Sequence, residues 1–163
     1  MQGEIVQEIS VALNLLNIPT SSFRLLDDME GEKIYKSALQ HFTIHGDRRW
    51  WWEDFRIPSF RFNAFDYPPD HITEILPEAK SSVWLIVEDD REAFYPVFEV
   101  KTISNIGKVL NECFGFEYYI IAKNYQWLLC ETHHKQLIGI GDILRSKNKD
   151  IIERDLPPLL GKV

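Results

Sequence analysis

Between Glu117 and Asp142 the chain reads EYYIIAKNYQWLLCETHHKQLIGIGD, three short apolar runs divided by two brief polar breaks. Runs of four or five β-branched, aromatic and aliphatic residues are too short for ordinary helices, so they predict strands. Breaks this short join only antiparallel neighbours, because a parallel crossover needs a dozen residues or more. Asn124-Tyr125 supplies the first turn, where Asn tolerates a positive φ, and the second falls near His134-Lys135. A three-stranded meander follows, and the rest of the chain has to cover it.

The flanking segments supply that cover. From Glu4 to Asn17 the residues Ile5, Val6, Ile9, Leu13 and Leu16 recur at helical steps, and Pro19 ends the pattern. GEKIYKSALQHF repeats it with Ile34, Ala38, Leu39 and Phe42, stopping near Gly46. PSFRFNAF alternates Phe60, Phe62 and Ala64 with Arg61 and Asn63, which predicts a strand with one wet face. PPDHITEILPEA predicts a short helix with Asp70 as cap. SVWLIVED and FYPVFEVK predict a hairpin across DREA, with Pro96 putting the second strand at an edge. SNIGKVLNECF predicts a helix capped by Ser104 and buried through Ile106, Val109, Leu110 and Cys113 or Phe114. The glycines of LIGIGD are expected to allow close backbone approach rather than to cradle a phosphate, since no matching helix opens behind them.

The expected fold is therefore α+β: one domain over residues 1–163 with a mostly antiparallel sheet of about six strands, N-terminal helices and one further helix packed on one face. Residues 1–46 form the helical part, 47–142 the sheet-rich core and 143–163 a tail that packs back through Ile151, Ile152, Leu156, Leu159 and Leu160. With 163 residues, 45% of them hydrophobic, the chain can bury one substantial core.

A formal charge of -7 opposes nonspecific binding to phosphate backbones and favours a basic partner, so nucleic acid is not expected. The opening MQGEIVQEIS has no basic segment followed by an apolar run, and no stretch approaches the roughly 20 apolar residues that span a bilayer. A cytoplasmic protein without membrane contact is expected. Cys113 and Cys130 fit reduced, buried thiols.

RRWWWEDF is the first candidate site. Trp50, Trp51 and Trp52 cannot share one face of any regular element, since strand neighbours oppose and helix neighbours splay by about 100°. Most of the run should anchor the core, and one indole should reach the surface as a binding residue. Glu53 and Asp54 follow the run, and Glu88, Asp89, Asp90 and Glu92 crowd one hairpin end; such acid clusters form a solvated face or a patch suited to steering a basic protein. CETHHK is the second candidate. On a strand Glu131 and His133 share a face with Cα atoms about 6.8 Å apart, while Cys130, Thr132 and His134 take the other. Two groups fall short of the three protein ligands of a catalytic zinc, and no HExxH or CxxC accompanies them. His45 and His71 lie elsewhere in the chain. No metal and no cofactor is expected.

The meander, together with WWWEDFR and VWLIVED upstream, resembles a family of small bacterial proteins of unknown function, over roughly residues 48–142. More loosely, a small acidic α+β chain without a catalytic motif is similar to the immunity proteins that neutralise bacterial toxins. With the charge of -7, the tryptophan run and the lack of a catalytic set, this leads to the expectation of a non-enzymatic protein-binding module occluding a basic toxin, with contact residues read from the sequence as Trp50, Trp51, Trp52, Glu53, Asp54, Glu88, Asp89 and Asp90. The alternatives are a small metal-dependent or acid/base enzyme built on Glu131 and His133, with His134 beside them, and a structural or oligomeric protein.

Overall fold

The computed structural model describes residues 3–46, 49–77, 81–89 and 94–158. Along the chain run α1 (Glu4–Leu15), β1 (Phe23–Leu25), α2 (Asp28–Phe42), β2 (Ser59–Phe62), α3 (Ile72–Ile75), β3 (Val83–Val87), β4 (Val97–Val100), α4 (Ser104–Asn111), β5 (Tyr118–Ala122), β6 (Leu128–Glu131), β7 (Leu137–Ile140), α5 (Asp142–Lys147) and β8 (Ile152–Leu156). The class is α+β, and the strands form one open sheet in the order β1-β4-β3-β5-β6-β7-β2-β8, with every pair antiparallel. The meander is β5-β6-β7, and the predicted hairpin is β3-β4.

Eight strands replace the expected six. Phe23–Leu25 is too short to display a period, and Ile152–Leu156 carries Glu153, Arg154 and Asp155 on an exposed edge, so neither announces itself by apolar alternation. β8 extends the sheet by pairing with β2, with a register shift between Arg61 and Phe62. Pro96 lies just before β4, which is not an edge strand: β1 pairs with it on the outside, and three residues of β1 suffice to cover it.

Helices pack on both faces of the sheet rather than on one. Val83, Leu85 and Val87 of β3 with Tyr118 and Ile120 of β5 meet Val6, Ile9 and Leu13 of α1 and Ile106 and Val109 of α4. Ile86, Tyr119, Ile121, Leu128 and Cys130 point the other way, to Tyr35, Ala38, Leu39 and Phe42 of α2. The reason is visible in YYIIA: all five residues of β5 are buried, and an unbroken apolar run marks a strand covered twice. α2 is capped by Asp27, whose side chain accepts from the Glu30 amide at 2.8 Å.

Two other expected caps are not formed. Ser104 is the first residue of α4 and Ile103 holds the cap position. Asp70 lies in a 3-10 turn and accepts from Asn111 Nδ2 at 3.1 Å. At the first meander turn the positive φ belongs to Tyr125 (59°), while Asn124 Oδ1 accepts from the Gln126 amide. Gly139 leaves the space that the Phe60 ring and Leu144 occupy; a Cβ there would collide with both. Both cysteines are free, Cys130 buried and Cys113 half-buried, and no helix among the described residues is long and apolar enough to cross a membrane.

Candidate functional site

The tryptophan run splits three ways. A 3-10 turn over Trp51–Glu53 drops Trp51 into the α2 face, where it is fully buried and stacks on Tyr119 with ring centroids 4.3 Å apart. Its amide donates to the Tyr119 hydroxyl at 3.2 Å. Trp50, one residue earlier, has left-handed backbone (φ 49, ψ 60) and is 40% exposed. That conformation costs a bulky side chain about 1–2 kcal/mol, and the turn imposes it through Glu53 N–H to Trp50 C=O at 2.9 Å. Trp52 is half-buried between them.

Trp52 leads to a residue that the sequence reading passed over. Glu117, one position before β5, is buried, with its side chain only 2% exposed. Its Oε1 accepts from Trp52 Nε1 at 3.1 Å, from the His133 amide at 2.8 Å and from His133 Nδ1 at 2.7 Å. Burial opposes the charge, but the contact with Glu88 and these donors outweigh it and hold the carboxyl below its ordinary range. Glu117 is therefore an ionised carboxylate beneath the surface, and its acidic letter directly before an apolar strand was the available signal.

His133 closes the constellation. The turn after β6 is fixed by the Thr132 amide to Gln136 C=O and the Lys135 amide to Thr132 C=O, with Lys135 at φ 59. This sets the His133 ring 5.6 Å from Trp50, 5.7 Å from Trp52 and 4.0 Å from His134, measured between centroids. Trp50, Trp52, His133 and His134 thus form an aromatic rim above one buried negative charge, with half-buried Glu88 hydrogen-bonded to that carboxylate and exposed Glu53 as further acid.

Other candidates fall elsewhere. Asp54 is 8% exposed and spends both carboxylate oxygens on His45, Oδ2 on the amide at 2.9 Å and Oδ1 on Nδ1 at 2.6 Å. It fastens the segment beside the Thr43–Phe55 bridge. Asp89 is buried, with its carboxylate against Gly3 at the N-terminus of α1, a favourable place for an anion. Asp90 and Glu92, and Leu159 and Leu160 of the tail, lie outside the described residues.

Glu131 and His133 border one cavity but make no common bond. Glu131 lies on the opposite face from Glu117 and accepts from the Tyr118 hydroxyl at 2.6 Å, whereas His133 serves Glu117. Desolvation raises the Glu131 carboxyl above its ordinary value, and the Tyr118 bond and Lys135 pull it back only in part. Among the described residues no group of three His, Cys, Asp or Glu side chains could hold a metal ion.

Comparison with curated proteins and with solved structures gives no match. The resemblance read between residues 48 and 142 extends through the helical N-terminal part as well: over residues 1–152 the chain matches, and belongs to, the family of unknown function DUF6756.

Proposed function

We propose that this chain is a non-enzymatic protein-binding module that takes a basic protein on the aromatic and acidic rim at the end of its sheet. One observation carries the reading: Trp50 is held exposed, in a costly backbone conformation, beside a ring cluster that covers the ionised Glu117. Strain of this kind persists only where the surroundings impose it, and it clusters at functional positions. An indole face next to a carboxylate offers a lysine or arginine chain both a π surface and a counter-charge. Glu53 and the overall charge of -7 supply the long-range attraction that speeds encounter with a cationic surface. An immunity-type inhibitor covering a basic toxin is the specific form of module that these features suit.

The experiment compares tagged wild type, Trp50→Ala and Glu53→Lys as baits in extracts of the source cells at low and high salt, after circular dichroism confirms that all three fold. A basic protein retained by wild type at low salt and lost by both variants supports the rim. Identical catches from all three baits would discard it. The toxin form is tested separately, by asking whether co-expression protects cells from the product of a neighbouring gene; no protection removes that form and leaves the module.

A further inference from the structure

On the α4 side of the same sheet end lies a cavity of about 300 Å³, to which His133 is the one rim residue that contributes. Tyr67, Phe114, Phe116 and Tyr118 wall it, Glu131 presents the carboxylate, and Lys135 lines the margin. Tyr67 and Phe114 are 41% and 45% exposed. Rings of this size left open to water around a cavity are surface with an unspent binding capacity.

The charge in the cavity decides what fits. Glu131 is partly stripped of water and accepts a hydrogen bond from Tyr118, whose fully buried ring fixes the hydroxyl in place. Its field reaches the Tyr67 hydroxyl, which is pushed up by burial first and by Glu131 and Asp70 after that. Among the described residues Glu131 has one hydrogen-bond donor, the Tyr118 hydroxyl, and the exposed Lys135 offsets its desolvation only in part, so it gains most from a ligand that brings both positive charge and its own N–H groups. Four aromatic rings around it provide the negative π faces that attract the same cation. An anion meets repulsion from Glu131 and from Glu117 behind His133. A neutral apolar ligand fills the space but does nothing for the carboxylate.

We propose that this cavity binds an ammonium group carried on a short apolar stem, with Glu131 receiving the charge and Tyr67, Phe114 and Phe116 flanking the stem. His133 borders both sites but Trp50 does not line the cavity: Trp50→Ala is expected to leave it unchanged, so the two readings fail separately. The stem and charge are shared by free alkylamines and by lysine side chains, and the experiment includes a probe for each.

The full chain, labelled with ¹⁵N, is titrated with n-butylammonium chloride, with 1-butanol and with N-acetyl-lysine-methylamide, following the amides of Gly115 and Thr132. Butylammonium is expected to saturate at concentrations about tenfold below butanol. Glu131→Gln, nearly isosteric, should bring the two probes together, and Phe114→Ala, a change at an exposed ring, should weaken the ammonium by about threefold. Binding of the lysine probe as well assigns the site to a lysine of a protein partner; binding of butylammonium alone assigns it to a small amine. Equal affinity for butanol and butylammonium in wild type, or a preference that survives Glu131→Gln, overturns the proposal.

Discussion

Glu117 and Glu131 stand almost back to back at one end of the sheet, since Tyr118, the neighbour of Glu117, pairs with Glu131 across β5 and β6. They point to opposite faces and meet opposite fates. Glu117 is the more deeply buried, yet its pKa is lowered; Glu131 is only half-buried, yet its pKa is raised. What separates them is the set of partners: Glu117 has the hydrogen bond with Glu88 and three N–H groups on Oε1, whereas among the described residues Glu131 has the hydroxyl of Tyr118 and the charge of Lys135. The α2 face is accordingly packed around a carboxylate held by several donors, and the α4 face keeps a cavity with a carboxyl that has fewer.

The most severe way to break the contrast is to remove what fills the α2 face. Trp51→Ala deletes a fully buried indole stacked between Tyr119 and Tyr95 and should cost about 3–5 kcal/mol, read as a large fall in the urea midpoint. No cavity-lining change on the α4 face should approach that; if Phe114→Ala does, the two faces are equally packed and the distinction is lost.

Next in size is the network itself. Glu117→Ala leaves Trp52 Nε1 and two His133 donors without their acceptor and should cost about 2 kcal/mol at neutral pH. Its pH dependence follows from the direction of the shift. A carboxyl whose folded pKa lies below its ordinary 4.5 contributes stability that is present above that value and lost as pH falls through the folded pKa. Wild type should therefore lose stability below about pH 4.5 more steeply than Glu117→Ala; parallel acid limbs in the two proteins would show that Glu117 is not held ionised by its donors.

Trp50 sharpens the comparison by one residue. Relieving its left-handed backbone with Trp50→Gly should raise stability by about 1 kcal/mol, or leave it unchanged where the lost ring contacts offset the relief. Partner capture should fall. Stability and binding moving in opposite directions is the signature of a position kept for presentation; a loss of several kcal/mol would make Trp50 an anchor like Trp51.

Much of this was legible in the letters, and the rest was hidden for physical reasons. The meander, the β3-β4 hairpin and the burial faces of α1, α2 and α4 were readable because runs and periods survive in any tertiary context. β1 and β8 were not, one being too short for a period and the other an edge whose charges blunt it. The second covered face was written in YYIIA, a run without alternation, and the expectation of a single helical layer overlooked it. At the site, the split of the tryptophans followed from geometry alone, but which indole would be exposed depended on a positive φ at Trp50 that no local pattern announces. Glu117 is the instructive omission. A single acid before a strand looks like solvent-facing punctuation, and only the convergence of Trp52 and His133, 65 and 16 residues away in sequence, reveals it as the centre of the rim.

The smallest effect tests the other carboxylate. Glu131 has its pKa raised, so its ionisation in the folded chain is unfavourable: stability present at low pH is lost as pH rises from 4.5 through the raised value. Gln at this position keeps an oxygen for Tyr118 and carries no charge. Glu131→Gln should then match wild type near pH 4 and exceed it slightly at pH 7, by less than about 1 kcal/mol because the group is partly solvated. Denaturation midpoints of the two proteins at both pH values read the difference directly. A variant less stable than wild type at pH 7 would mean that Lys135 and Tyr118 already compensate the Glu131 charge in full, and the cavity would lose its reason to bind a cation.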